Sequence, residues 1–294
     1  GAEYDAFIAE FVEAVAEVFP HALLQWEDLR KDIALAVADR YRERLPSFND
    51  DIQGTGAVAL AGVLASARVT GTSVAEQRVV VHGAGAAGLG IARQIKAAMR
   101  LAGLSEAECT RRVAALDSRG LLVADHELRD AYKRELAWPA DHAASFGLGP
   151  DADRGLESLV RAFRPTVLIG TSGQPGCFGE GLVREMARHC ERPVILPFSN
   201  PSDLSEAVPA DVLRWTDGRA LVGTGSPFPP VELGGRRISI GQGNNVLVFP
   251  GLGFGVLLGG IRVVTDEMLT AAAFTLTGKV TDAELASGML FPAV

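Results

Sequence analysis

Cysteine is scarce in this chain of 294 residues: there are three (Cys109, Cys177 and Cys190), widely spaced and without a CxxC pair. That excludes a disulfide scaffold and favours a reducing compartment, so a cytoplasmic location is expected. Charged residues are few at 22%, against 48% hydrophobic, which excludes a disordered polyelectrolyte. Positive charge is in short supply too: Lys+Arg 28 against Asp+Glu 36 gives a net charge of −8. Without a broad basic field nothing displaces counterions from a phosphate backbone, so neither nucleic acid nor an anionic membrane is an expected partner. Long hydrophobic runs are nearly missing. The one membrane suspect, 244–261, carries no charge, opens with two asparagines and holds Pro250, Gly251, Gly253 and Gly255. It reads as a buried element of a folded core rather than a span.

What is present is an α/β pattern. Phe7, Phe11, Val15 and Val18, with Ile8 and Val12 beside them, recur at helical spacing as far as Pro20. A short apolar run over 22–26 predicts a strand ending at Glu27-Asp28, and Ile33, Val37 and Tyr41 mark a second helix. Residues 47–51 read as a polar turn before an Ala-rich helix over 55–69. From about Arg78, short β-branched runs at 78–82, 112–116, 166–170, 193–198 and 220–223 alternate with helical segments. This is the texture of a Rossmann-type, doubly wound parallel sheet. The expected organisation is a partial catalytic and metal-binding segment over 1–50 and a dinucleotide-binding domain over 51–245. The helices of 246–294 are then expected to pack with the first segment, as parts of a second, catalytic domain.

A strand (Val79-Val80-Val81-His82) runs straight into Gly83-Ala84-Gly85-Ala86-Ala87-Gly88, and an apolar helix follows. In such a GxGxxG turn the first glycine permits the tight bend and the second lets a pyrophosphate approach the backbone. The third lets the helix pack closely, with its N-terminal amides and dipole facing the anion. A bare GxGxxG also occurs in structural turns; the strand before and the helix after favour a nucleotide. The acidic partner of the ribose should end the next strand. Asp117 stands there, 29 residues beyond Gly88 (117 − 88) rather than about 20, with Ser105 to Arg112 as an extended crossover.

Two acidic pairs, Glu27-Asp28 and Asp50-Asp51, stand at the ends of separate elements. Carboxylates that converge either shift their pKa values upward or hold a hard cation such as Mg²⁺ or Mn²⁺. Acidic pairs in loops are also common as solvated caps, and spacing alone does not choose.

The wording of these segments does choose. QWED at 25–28, FNDDIQGT at 48–55, GAGAAG, SNP at 199–201, GSPF at 225–228 and GQGNN at 241–245 occur in one order over nearly the whole chain. Together they resemble the malic enzyme family. The resemblance implies oxidative decarboxylation of L-malate to pyruvate with reduction of NAD or NADP, dependent on Mg²⁺ or Mn²⁺. It implies Glu27, Asp28 and Asp51 as metal ligands, and Asp50 as the partner of a general-base lysine. Asn200, Asn244 and Asn245 would face malate, Asn200 also the nicotinamide end. Gly83, Ala84, Gly85, Ala86, Ala87, Gly88, Asp117 and Ser118 would hold the cofactor. Ser118 with Lys133-Arg134 leans toward NADP, because cations there could neutralise a 2′-phosphate. A homo-oligomer, dimer or tetramer, is implied by family alone.

The pattern departs from the family at Trp26, Gly56 and His82. In the family a tyrosine acid, a lysine base and a malate-binding arginine precede QWED. Tyr4, Tyr41, Tyr132, Lys31, Lys96, Lys133 and Lys279 fall in none of those motifs. The expectation is therefore a fragment with weak or no turnover alone. Malolactic chemistry (malate to lactate, cofactor retained) and a non-catalytic dinucleotide-binding module stay open as alternatives.

Overall fold

The computed structural model describes residues 1–125, 128 and 130–293, and for Lys31 the backbone alone. The chain starts with helix α1 (Ala2–Val18), strand β1 (Leu24–Trp26), helix α2 (Lys31–Tyr41) and strand β2 (Ser47–Asn49). In α1 it is Ile8 and Val12 that turn inward, packing in a small cluster with Trp26, Val37 and Tyr41. Phe7 and Val18, named first by the periodicity, point to solvent at 63% and 64% exposure. An apolar stripe that wraps around a helix does not tell which of its edges faces the core.

The segment read as a polar turn at 47–51 divides into two elements. Ser47–Asn49 is a buried strand, parallel to β1 with Trp26 opposite Asn49. Asp50–Gly54 then forms a wide π-helical turn that runs into α3 (Thr55–Thr70). The local preference of Ser, Asn and Asp for turns yields to strand pairing and to burial of Phe48.

The main sheet has seven strands: β3 (Val79–His82), β4 (Val113–Asp117), β5 (Gly120–Leu121), β6 (Val167–Gly170), β7 (Val194–Pro197), β8 (Leu221–Thr224) and, after the hairpin β9 (Val231–Leu233) and β10 (Arg236–Ile238), β11 (Gly241–Gln242). Their spatial order is β11-β8-β7-β6-β3-β4-β5, with only the β4–β5 pairing antiparallel. The chain leaves β3 toward β4, then returns to β6 on the other flank of β3. The crevice outside the β3 and β6 carboxyl ends is thus the topological switch point, where such sheets bind ligands.

Alternation along the strands makes two cores. Val79, Val81, Val113, Ile169 and Leu196 face one way, beneath α3, α4 (Ala86–Leu101) and the helix Asp266–Lys279. Val80, Ala114, Leu116, Leu168 and Ile195 face the other, beneath Leu156–Phe163, Glu180–His189 and Pro209–Trp215. Because each strand is covered on both faces, its sequence is a continuous apolar run. The stretch Asp50–Thr70 is long and apolar enough to cross a membrane by composition, yet most of it lies inside the protein as α3 and its lead-in turn.

The C-terminal helices divide their contacts. Asp266–Lys279 lies on α3 and α4, tied by Thr270 Oγ1 to Gln94 (3.1 Å), Thr277 Oγ1 to the Ala61 carbonyl (3.2 Å) and Arg68 to the Thr277 carbonyl (2.7 Å). The uncharged stretch forms the helix Phe249–Gly259, which comes against Leu23 at Gly253. It is only partly the buried element the sequence suggests: Leu252 and Val256 are buried, whereas Phe254, Leu257 and Leu258 are exposed. A helix apolar on every side carries no record of which side is covered.

Candidate active site

At the carboxyl end of β3, Gly83 adopts φ 118°, and a Cβ there would stand 2.5 Å from the Thr171 carbonyl carbon. A Cβ on Gly88 would stand 1.9 Å from the Gly83 oxygen. Both glycines are forced by close backbone approach. Around Gly85 the opposite holds: no atom of the described residues lies within 4 Å of its Cβ position, so the space over the α4 N-terminus is open among them. The N–H groups of Gly83 and Ala84 both bond the Leu116 carbonyl (3.0 and 2.9 Å), which fastens the loop to β4. Gly85 caps α4 without a side-chain bond, so the helix opens with Ala86 and Ala87 presenting backbone donors and the positive end of its dipole. These are the requirements of a pyrophosphate cradle.

Asp117 ends β4 next to this loop, with Ser118 exposed in the turn that follows. Its Oδ1 accepts the Arg119 N–H (2.8 Å) and its Oδ2 accepts Lys133 Nζ (2.5 Å). Burial works to raise its pKa, but these two donors outweigh burial and hold the carboxyl below the usual range. Lys133 is thus engaged by Asp117 rather than free to meet a 2′-phosphate, and Arg134 donates to the Leu128 carbonyl (2.8 Å). A lysine that can neutralise a carboxylate beside it does so before any ligand arrives.

Across the sheet edge, the turn Asp50–Gly54 faces the loops that follow β7 and β11. A cleft of about 260 Å³ lies between them, lined by Glu27, Asp50, Asp51, Asn200, Asn244 and Asn245 among others. With the ribose acid Asp117 apart at the end of β4, the structure thus brings all but one of the acidic and asparagine residues implied for metal, base and malate to a single cavity wall. The exception, Asp28, stands beside it at φ 55° and donates its backbone N–H to Asp51 Oδ2 (2.9 Å). Asn245 Nδ2 bonds Asp50 Oδ2 (2.9 Å) and Thr55 Oγ1 (3.1 Å), bracketing the carboxylate turn to the cofactor domain. Asn244 Oδ1 accepts the Val246 N–H (2.9 Å) as a helix cap, and Asn200 Oδ1 accepts Ser226 Oγ (2.7 Å), which orients its amide.

The carboxylates press on one another. Burial drives Asp50 up to about 6, against the lowering effect of its bond from Asn245, and the charges of Glu27 and Asp51 push the same way as burial. Asp51 is raised chiefly by burial, with Asp28 and Glu27 adding to it and the Asp28 N–H opposing. Among the described residues Asp50 Oδ1 is buried without a hydrogen-bond partner, as are Asn49 Nδ2 and Trp26 Nε1. Glu27 is turned onto the amide of its neighbour Gln25, so among the described residues no three acidic or imidazole groups close into a cation cage. The donor set of Glu27, Asp28 and Asp51 still suits a hard divalent ion, because it is all oxygen and negatively charged.

Sequence reasoning missed Gly90. A Cβ there would stand 1.8 Å from the Ile52 carbonyl oxygen, so α4 carries the carboxylate turn directly on its backbone. A Cβ at Gly56 would likewise meet the Gly90 oxygen at 2.6 Å. The signal was present as a fourth glycine after the GxGxxG run, but a helical glycine does not say what approaches it.

Compared with known proteins, residues 52–294 match the family model described as malic enzyme, NAD binding domain. The chain belongs to the malic enzyme family. Residues 1–42 match the model of the malic enzyme N-terminal domain. Among curated relatives, an NAD-dependent malic enzyme of Sodalis glossinidius is 49% identical over 94% of this chain and 49% of its own length. One from Pseudomonas aeruginosa is 44% identical over 100% of this chain and 52% of its own. The chain therefore spans about half the length of the curated relatives it matches. Of solved structures, the Entamoeba histolytica malic enzyme superposes with a TM-score of 0.76 at 25% identity, covering 98% of this chain and 53% of that one. The Pyrococcus horikoshii malic enzyme gives 0.71 at 26%, covering 97% and 60%.

In this chain His82 closes β3 against Phe178, its Nδ1 3.6 Å from Cys177 Sγ. Burial lowers its pKa below the usual 6.5, against the pull of Glu206. The unfolded chain then binds the proton more readily than the folded one, so stability present above pH 6.5 declines as pH falls through that value. Urea midpoints at pH 7.5 and 5.0 are expected to draw together in His82→Gln relative to the parent; an unchanged gap would count against this.

Proposed function

We propose that this chain supplies the cofactor fold and the metal-binding carboxylates of an enzyme that converts L-malate and NAD⁺ to pyruvate, CO₂ and NADH. The observation that carries this reading is the cleft in which the Asp50-Asp51 turn faces Asn200 and Asn244, at the sheet edge that also bears the open glycine cradle. Glu27, Asp28 and Asp51 would hold Mg²⁺ or Mn²⁺. Bound there, the ion would supply Lewis-acid polarisation of the malate hydroxyl and C2 oxygen.

The chain's own residues do the rest by placement. Asn200 and Asn244 offer neutral amides to the malate carboxylates, adding no charge to a site already rich in it. Asp50, its Oδ2 held by Asn245, gives the cleft wall a negative charge that a cationic acid–base group such as a lysine ammonium would pair with. The Ala86 and Ala87 amides take the pyrophosphate, and Asp117 takes the adenosine ribose diol. NAD⁺ is the cofactor, because Lys133 is already neutralised by Asp117. The curated relatives named above carry NAD dependence in their names.

No lysine, tyrosine or histidine lines this cleft among the described residues. A positioned acid–base group contributes about 10²–10⁴-fold. The purified 294-residue polypeptide is therefore expected to bind NAD⁺ and Mn²⁺. It should form NADH from malate, followed at 340 nm, about 10²–10⁴-fold below an ordinary enzymatic turnover. Asp51→Asn should lose Mn²⁺ affinity measured by electron paramagnetic resonance. Failure of the parent to bind either Mn²⁺ or NAD⁺ would overturn the reading.

A further inference from the structure

Glu206 lies beyond the SNP motif, in no element of the sheet, and is fully buried at 0% exposure. Among the described residues no lysine or arginine pairs with it. Instead its carboxylate gathers donors from two loops. Oε1 accepts the Ser172 N–H (2.7 Å), the Ser172 hydroxyl (3.0 Å) and the Ser199 hydroxyl (2.5 Å), while Oε2 accepts the Ser199 N–H (3.3 Å). The Ser199 hydroxyl in turn accepts the Gly173 N–H (2.9 Å), so the two loops are joined twice. The carboxylate rests over the last residue of β6, where a Cβ on Gly170 would stand 2.5 Å from Glu206 Cδ.

The position of these loops gives the clamp its meaning. The segment Thr171–Gly173 follows β6, and Ser199–Asn200 follows β7. Thr171 Oγ1 also bonds the Gly83 carbonyl (2.9 Å), so the β6 loop is one wall of the glycine turn. In a doubly wound sheet the dinucleotide crosses the switch point. Its adenosine half lies over β3 and β4, where Asp117 stands, and its other half over the strands beyond. The Glu206 carboxylate therefore underlies the nicotinamide half directly, and reaches the glycine turn only through Thr171. A buried carboxylate satisfied by hydrogen bonds rather than by a cation is costly to desolvate, and it persists only where several donors hold it.

We infer that Glu206 is a positioning residue. Its carboxylate locks the β6 and β7 loops into one rigid floor for the nicotinamide end of the cofactor, and sets Asn200 at the rim of that floor. Glutamine at this position still accepts at Oε1, but its amide NH₂ then faces the Ser199 N–H, donor against donor. The β7 loop lifts while the β3 and β4 half is untouched.

This inference rests on the dinucleotide reading, and the test separates the two. NAD⁺ and ADP affinities are measured by calorimetry on the whole chain for the parent, Glu206→Gln, Ser199→Ala and Ser199→Thr. Glu206→Gln and Ser199→Ala are expected to weaken NAD⁺ about tenfold or more, leave ADP within about twofold, and Ser199→Thr to restore NAD⁺ binding through its retained hydroxyl. Should Glu206→Gln not fold, the serine pair reads the same clamp. Equal losses for NAD⁺ and ADP, or no loss for NAD⁺ in the variants that fold, would overturn the positioning role while leaving the dinucleotide reading intact. A parent that binds neither ligand would instead remove the dinucleotide reading itself, and the inference with it.

Discussion

Alanine at Gly90 is expected to lower the stability of the chain by about 2 kcal/mol and to disturb the carboxylate turn with it. Two effects oppose each other. Replacing a helical glycine by alanine favours folding by about 1 kcal/mol through backbone entropy. Against that, the new Cβ would stand 1.8 Å from the Ile52 carbonyl oxygen and 2.6 Å from its carbon, contacts that must open beyond 3.0 Å. Both partners are backbone, so no rotamer relieves the clash, and overpacking of this kind lies at the upper end of about 1–3 kcal/mol. The overpacking wins. Because Ile52 directly follows Asp51, the strain is delivered to the proposed metal carboxylates.

Gly85→Ala is the matched control, since no atom of the described residues lies within 4 Å of its Cβ position. Its stability should stay within about 0.5 kcal/mol of the parent, while NAD⁺ binding is lost by occlusion of the cradle. Urea unfolding together with calorimetric titration of NAD⁺ and Mn²⁺ separates the two variants. A Gly90→Ala chain of parental stability would show that α4 and the turn can part freely.

Discrimination between the two nicotinamide cofactors should be large, with NAD⁺ bound about 10²-fold more tightly than NADP⁺. A 2′-phosphate brings a charge of about −1.5 to −2. Here it would meet Asp117, whose Oδ2 holds Lys133 and whose pKa is already depressed by that cation and by the Arg119 N–H. A free ribose diol instead donates to the lone pairs that Asp117 retains. The pair is largely buried, at 20% exposure for the Lys133 side chain and 9% for Asp117, so solvent screens it little.

Asp117→Ala removes the repulsion and releases Lys133 at once, and is expected to reverse the preference. Lys133→Ala leaves the carboxylate bare, and should depress NADP⁺ binding further without improving NAD⁺. Dissociation constants for both cofactors on the three proteins decide this. A parent that prefers NADP⁺ would mean that Lys133 leaves Asp117 for the phosphate.

Much of this protein is legible in its residues because the features in question are local. The alternation that puts Val79 and Val81 on one face and Val80 on the other is a property of four consecutive side chains, and both cores follow from it. Gly83, Gly85 and Gly88 announce a cradle because turn, approach and packing all occur within six residues. The acidic pairs and the asparagines could be named from the order of their motifs.

What only the tertiary structure decided concerns meetings between distant segments. The pairing of Ser47–Asn49 with β1, the seat of the carboxylate turn on Gly90, the capture of Lys133 by Asp117 and the gathering of Ser172 and Ser199 by Glu206 join residues that no spacing rule connects. The same holds for helices that are apolar on several sides. Ile8 and Val12 turn inward while Phe7 does not, and Phe254 remains exposed while Val256 is covered, because burial is conferred by whichever surface arrives. Sequence periodicity records a preference for one face of an element. Hydrogen bonds and steric exclusion between elements are settled only when the chain has closed on itself.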